Sequence, residues 1–206
     1  MKKKSSLPHF HDFLGIAKSK LINSSLIVFY GMSGSGKSAN LCFLANHHQD
    51  FKNRSHQWIW TAQKKSKFSS VADEPLVVVD EITSVFQLFE VKKLVKKNST
   101  VAVASHLHPF WFRFSMPRVT LKSFQTDNGD QKLRTYLNRK NISFNTKALN
   151  AYIKKYGANY LDLQCILERF PNRNLGEAIQ ASERLDCIKL KKPNQWIPNT
   201  PRLRYE

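Results

Sequence analysis

Residues 31–38 read Gly-Met-Ser-Gly-Ser-Gly-Lys-Ser, an octet whose glycines, lysine and final hydroxyl are spaced to hold a phosphate chain. Glycines let a loop wrap closely around an anion, and the backbone N–H groups of such a loop point at the anion's oxygens. Lys37 would contact the β- and γ-phosphates of a nucleotide, and the Ser38 hydroxyl would bind Mg²⁺. We call residues 31–38 the phosphate loop. The residues predicted to bind nucleotide are Gly31, Ser33, Gly34, Ser35, Gly36, Lys37, Ser38 and Ala39.

The segments on either side of the phosphate loop have the patterns that such a loop requires. Residues 26–30 form a continuous apolar run, which is typical of a buried parallel strand. Residues 38–49 contain neither Pro nor Gly and carry apolar side chains in a helical pattern. A glycine loop between a strand and a helix places bound phosphates at the helix N-terminus. The octet in this context predicts a P-loop nucleotide-binding protein with ATP and Mg²⁺ as ligands.

A second apolar run, residues 76–79, ends in the carboxylates Asp80 and Glu81. Ligand sites in open α/β sheets lie at the carboxyl ends of the strands, so this pair is expected beside the phosphate loop. We expect Asp80 to hold Mg²⁺ and Glu81 to position and deprotonate the attacking water. An acidic pair at a strand end is often only a helix cap, but a complete phosphate loop upstream favours the catalytic interpretation.

A third apolar run, residues 101–104, ends in Ser105 and His106 and should lie between the other two strands. Ser105 or His106 would then contact the γ-phosphate or the attacking water, or serve only as a cap and a surface residue. Arg113 and Arg118 follow, and either is a candidate to stabilise a transferring phosphate, also from a neighbouring subunit. Both fit a structural or nucleic-acid-contacting role equally well. Aromatic residues nearby, Phe110 and Trp111 among them, are expected to pack in the core or at its rim rather than stack on bases.

Alternating strand and helix patterns predict an α/β fold with a five-stranded parallel sheet flanked by helices, followed by a small C-terminal all-helical lid. The predicted strands are residues 26–30, 57–62, 76–80, 100–105 and 119–122. The predicted helices are residues 10–21, 38–49, 82–97, 130–139, 146–156, 160–170 and 175–186. We predict a nucleotide-binding domain over residues 1–125 with a basic N-terminal arm, a lid over 126–188, and a basic, Pro-containing tail over 189–206.

Charge is the main compositional signal in this chain. Thirty-three Lys and Arg against 15 Asp and Glu give a formal net charge of +18, which favours a polyanionic partner such as DNA or RNA. The helix predicted over residues 82–97 carries four lysines, Lys92, Lys93, Lys96 and Lys97, within one arc. Three cysteines outside any motif and the absence of a run of membrane-spanning length predict a cytoplasmic protein without a membrane span.

The order of these motifs resembles the plan of the AAA+ ATPases over residues 10–186, with residues 141–167 as the lid. The short chain resembles the bacterial initiator, helicase-loader and transposition-helper branch, whose members act on DNA. The resemblance implies a sensor role for Ser105, an arginine-finger role for Arg113 or Arg118, and assembly into homo-oligomers or with a partner protein. Residues 157–162, where the lid arginine of that family is expected, contain no arginine.

Three functions fit these observations. The first is an AAA+-like ATPase that acts on or near DNA as a helper in replication or mobile-element processes. The second is a P-loop kinase of a small molecule, which the acidic pair and the lack of an arginine-rich lid insert disfavour. The third is a poorly hydrolysing nucleotide-dependent adaptor, which the missing lid arginine favours. An ABC-type ATPase ranks lower, because no Leu-Ser-Gly-Gly-Gln-like signature lies between the two nucleotide motifs.

Overall fold

Five strands of the described chain form one parallel sheet. The computed structural model describes residues 12–61, 73–127 and 129–190. The strands in this part are β1 (Leu26–Tyr30), β2 (His56–Trp60), β3 (Leu76–Ile82), β4 (Thr100–Ser105) and β5 (Leu121–Gln125). Their order is β2-β3-β4-β1-β5, and every neighbouring pair is parallel. The predicted α/β class is confirmed, including the position of β4 between β3 and β1.

Helices cover both faces of the sheet. They are α1 (Lys37–His47), α2 (Gln87–Lys97) and α3 (Pro109–Ser115). Alternate residues of β1 point to opposite faces. Leu26 and Val28 join a buried cluster with α2 and α3, whereas Ile27 and Phe29 join a second cluster with α1. Because both faces are buried, the central strands are mainly apolar up to the polar residues near their carboxyl ends.

In the described part of the chain, four helices follow β5 and surround a third buried cluster. They are α4 (Gln131–Arg139), α5 (Thr146–Tyr156), α6 (Tyr160–Arg169) and α7 (Leu175–Leu190). The side chain of Asn145 caps α5 by accepting the Ala148 N–H, and Gly157 ends that helix at φ 69°. We call α4–α7 the lid. The division of the chain into domains at residues 125 and 126 stays a prediction, and the basic arm and most of the tail lie outside the described residues.

The prediction of a leading helix over residues 10–21 is wrong for residues 12–21, the part of that segment that the structure describes. Only a short 3-10 helix, Ile16–Lys18, forms there. Gly15 precedes it in the left-handed region at φ 67°, and the Asp12 carboxylate accepts the first two N–H groups of the turn at 2.7 Å each. A local side-chain cap on an isolated turn therefore replaces the expected helix.

Two predicted boundaries near the central strands are also wrong. β3 continues past an irregularity after Val79 to Ile82, so α2 begins at Gln87 instead of residue 82. β5 begins at Leu121 instead of residue 119, because its pairing with β1 starts there. The sequence pattern does not predict α3, a helix of 7 residues that are mostly aromatic. The remaining predicted elements are present, with ends shifted by a few residues.

Candidate nucleotide-binding site

The phosphate loop joins β1 to α1 at the carboxyl edge of the sheet, as predicted. Gly34 has φ 72° and Gly36 has φ 95°, a region that residues with a Cβ rarely adopt. Gly34 also lies so close to the lid that an added Cβ would collide with the side chain of Asn159. The glycine at this position therefore serves both the curvature of the loop and the close approach of the lid.

The ammonium of Lys37 is held inside the phosphate loop. Its Nζ donates to the carbonyl oxygens of Gly31 at 2.9 Å and Met32 at 2.7 Å, and the residue is 8% exposed. Burial lowers the pKa of Lys37, and the nearby carboxylates, Asp80 foremost, oppose that shift. Desolvation destabilises the charged form of this amine, so an anion bound in the loop would stabilise the charged ammonium.

Asp80 and Ser38 form the part of the site that fits a divalent cation. Ser38 Oγ donates to Asp80 Oδ1 at 3.0 Å. The other oxygen, Asp80 Oδ2, is buried and has no hydrogen-bond partner in the described part of the chain. Burial raises the pKa of this carboxyl. Because Mg²⁺ prefers carboxylate, hydroxyl and phosphate oxygens, the unpartnered oxygen beside a serine hydroxyl suits that ion.

A bulge turns the neighbouring carboxylate, Glu81, away from the buried strand. Glu81 has φ 73°, an uncommon value for a residue with a side chain, and the β3–β4 register shifts between Val79 and Ile82. Thr61 Oγ1 lies 2.7 Å from the carbonyl oxygens of both Asp80 and Glu81. Asp80 stays buried, whereas Glu81 is half-buried and lines the cavity. Bulges of this kind re-aim side chains next to functional sites.

The two polar residues at the end of β4 have different surroundings. Ser105 is fully buried, and its Oγ accepts the Leu107 N–H at 2.9 Å and lies 3.3 Å from the Ile82 carbonyl oxygen. His106 lines the cavity, and its pKa is lowered by burial and by the charge of Lys37. Of this pair, His106 is therefore the residue that lines the cavity, and contact of either residue with a nucleotide stays a prediction.

The two candidate arginines lie away from the site of their own chain. Arg113 and Arg118 are exposed, and neither is among the described residues that line the cavity. A catalytic role for either one therefore requires that it reach the site of a neighbouring subunit. That role stays a prediction.

Residues after β5 bind the phosphate loop from the lid side, and the nucleotide motifs give no sign of them. Thr126 Oγ1 lies 2.5 Å from Ser35 Oγ. The Asp127 carboxylate accepts the Met32 N–H at 2.9 Å, and the Tyr160 N–H donates to the Gly34 carbonyl oxygen at 3.0 Å. The conformation of the loop is thus tied to both β5 and α6.

Lys132, on the first turn of α4, is a second buried cation at this site. Its Nζ donates to the Ser35 carbonyl oxygen at 3.3 Å and to the carbonyl oxygen of Thr126, and lies 5.4 Å from the centre of the Tyr160 ring. Only 6% of the residue is exposed, and burial lowers its pKa to about 8. One ammonium therefore joins the phosphate loop, β5 and the lid.

These groups surround a cavity of about 1020 Å³ between the sheet and the lid. Its lining includes residues 33–38 of the phosphate loop, Asp80, Glu81 and His106. The apolar and aromatic side chains of Phe13, Leu14, Tyr136, Tyr160 and Leu161 also line it, together with polar and basic residues. Such a wall can accept the flat face of a nucleotide base. The two nucleotide motifs do not include these apolar and aromatic lining residues.

Comparison with known proteins supports the same class of site. A family model described as RNA helicase matches residues 27–109, which is less than half of the chain and runs from β1 to the start of α3. The match and the fold together support a P-loop nucleoside triphosphatase core. No curated protein sequence matches the chain. None of the helices in the described segments combines the length and the hydrophobicity of a membrane span.

Proposed function

We propose that this chain hydrolyses ATP and that its nucleotide state controls an action on nucleic acid. The AAA+ initiator, loader and transposition-helper plan remains our favoured comparison, with DNA as the favoured polymer. The observation that supports the proposal is the different surroundings of two adjacent carboxylates that line one cavity. Asp80 is buried beside Ser38 at 3.0 Å, and Glu81 turns into the cavity.

The residues divide into those that bind and those that react. The phosphate loop and Lys37 bind the phosphate chain, and Ser38 and Asp80 hold Mg²⁺. When bound, this ion would neutralise charge that develops on the phosphate oxygens. Glu81 orients the attacking water and accepts its proton. We assign to His106 a hydrogen bond to the terminal phosphate or to that water, because it lines the cavity and its lowered pKa favours the neutral imidazole.

Charge and the family match support nucleic acid as the partner. The 33 Lys and Arg exceed the 15 Asp and Glu, so a net charge of +18 remains even if every acidic residue is paired. Four lysines of α2 are exposed: Lys92, Lys93, Lys96 and Lys97. Cationic side chains that contact phosphates release condensed counterions, so binding should weaken steeply with salt. The free cysteines Cys42 and Cys165 fit the proposed cytoplasmic location.

Turnover by a Glu81→Gln variant tests the proposed reaction. The amide preserves the shape of the side chain but cannot accept a proton, so we expect ATP binding near that of the parent and hydrolysis reduced by about 10²-fold or more. Glu177→Gln, an exposed lid glutamate outside the cavity, is the matched control.

Steady-state hydrolysis should be measured alone and with single-stranded DNA, duplex DNA or RNA. Stimulation by one polymer would identify the partner. ATP binding without turnover in the parent would favour the adaptor instead. Normal turnover in Glu81→Gln would show that the base lies elsewhere.

A further inference from the structure

The structure exposes six large apolar side chains on and just before two neighbouring helices. Phe86 is 82% exposed, Phe114 73% and Phe89 64%. We call the set the aromatic surface; it consists of Val85, Phe86, Phe89, Phe110, Trp111 and Phe114. Phe110 and Trp111 are 57% and 41% exposed, which argues against the expectation that they are packing residues. Large exposed apolar side chains grouped on neighbouring helices are a feature of binding surfaces.

The aromatic surface is not needed to hold α2 and α3 in place. The two helices contact each other, and their inward faces already fill the core through Leu88, Val91 and Phe112, each at most 2% exposed. Phe110 stacks on Phe114, with ring centres 6.1 Å apart. The outward rings therefore add exposed flat faces to helices that are anchored by other residues.

The same two helices carry an excess of positive charge. Lys92, Lys93, Lys96 and Lys97 are exposed on α2, and Arg113 is exposed between the rings of α3. Glu90 is the one acidic residue of α2 and α3, and it pairs with Lys93 at 2.7 Å. Rings and cations together suit a ligand that has both flat apolar faces and a negatively charged backbone.

The location of the aromatic surface connects it to the nucleotide site. β3 carries Glu81 into the cavity and leads directly to Phe86, and β4 leads through His106 to Phe110. Both helices begin at the carboxyl edge of the sheet, where the phosphate loop also lies. A ligand on the aromatic surface would therefore contact the segments that follow the two cavity-lining residues.

We propose that the aromatic surface binds single-stranded nucleic acid. Bases stack on the exposed rings, and the lysines and Arg113 contact the phosphates. This inference rests on the proposed function and names the partner's form and the surface that contacts it. A single strand is favoured because its bases are free to stack, whereas duplex bases are already stacked on one another. A second copy docked face to face would bring the same cations together, which opposes self-association through this surface.

Replacing rings by leucine tests stacking separately from general hydrophobic contact. In the variant Phe86→Leu/Phe89→Leu/Phe114→Leu the surface stays apolar but loses three rings. Because alanine scanning assigns about 1–3 kcal/mol to each stacked base, we expect at least a tenfold loss of affinity. The probes are fluorescein-labelled oligothymidylate and oligouridylate, followed by anisotropy at several salt concentrations. Ile22→Leu changes an exposed apolar residue outside the aromatic surface and should leave affinity unchanged.

The outcomes separate this inference from the proposed function. If the parent binds oligonucleotide and the leucine variant binds it tenfold or more weakly, with unchanged ATP affinity, the inference is supported. If parent and variant bind equally, the aromatic surface is not the contact, while the proposed function stands. If the parent binds neither oligonucleotide at low salt, this inference fails, and duplex DNA measured in the same way decides whether the nucleic-acid part of the proposed function fails with it. Binding of the parent to anionic phospholipid vesicles but not to oligonucleotide would assign the surface to a membrane instead and overturn the inference.

Discussion

Lys132 allows a quantitative test of the contact between the lid and the phosphate loop. Burial lowers the pKa of this lysine to about 8 from the ordinary value of 10.5. Below about pH 8 both the folded and the unfolded chain are protonated at Lys132, so the folded protein bears the full cost of the buried charge. As the pH rises, the folded protein loses this proton first, and its stability should increase. Between about pH 7 and about pH 9.5 the linkage relation gives a gain of about 2 kcal/mol from this group.

The assay is urea unfolding of the nucleotide-free protein across that pH range, with the parent compared with Lys132→Met. Subtracting the two curves removes the titration of all other groups that the substitution does not perturb. The difference should change by about 2 kcal/mol in favour of the parent as the pH rises. Lys147→Met, which replaces an exposed lysine of the same lid, should follow the parent. Parallel curves for the parent and Lys132→Met would show that the ammonium is not destabilised in the fold and would refute the reasoning.

Three further predictions concern the nucleotide site. Lys37→Ala should weaken ATP binding severely by removing a cation from the phosphate loop, and equal affinity by calorimetry would contradict the assignment. Thr61→Val removes the hydroxyl that lies 2.7 Å from the Asp80 and Glu81 carbonyl oxygens. We expect lower kcat with little change in KM and recovery in Thr61→Ser; unchanged kcat would mean that the bulge holds without this hydroxyl. If Arg113 or Arg118 acts across a subunit boundary, mixing its alanine variant with Glu81→Gln should restore part of the ATPase activity, and failure with both arginines would argue against that role.

Local sequence patterns predict the secondary structure around the two nucleotide motifs. The glycine octet lies between the strand and the helix that its pattern requires, and the apolar run before Asp80 becomes the buried strand β3. Such features depend on neighbours in sequence, because a loop between a strand and a helix folds over a few residues. The position of β4 between β3 and β1 is also predicted from the sequence. The strands that carry the phosphate loop and Asp80 must deliver them to the same carboxyl edge of the sheet.

Contacts between distant segments are what the sequence does not reveal. In the sequence, nothing distinguishes Lys132 from the other basic residues of its helix. In the structure, its ammonium contacts the phosphate loop and Thr126, which directly follows β5. The different surroundings of Asp80 and Glu81 depend on a bulge and on Thr61, which directly follows the neighbouring strand β2. No pattern within either segment specifies these contacts, because each is fixed by the packing of separate elements.

The end of β3 provides a physical connection between the two proposed binding surfaces. Gln87 Oε1 accepts the N–H groups of Thr83 and Ser84 at 2.8 and 2.9 Å, which fixes the turn that leads into α2. The His106 N–H donates to the Ile82 carbonyl oxygen at 2.8 Å, so the ends of β3 and β4 are joined beyond the bulge. If a change in backbone conformation at Glu81 on nucleotide binding moves these joined segments, the nucleotide site and the aromatic surface are coupled. Because coupling between two binding sites is reciprocal, a strand bound on that surface must then alter nucleotide affinity by the same factor.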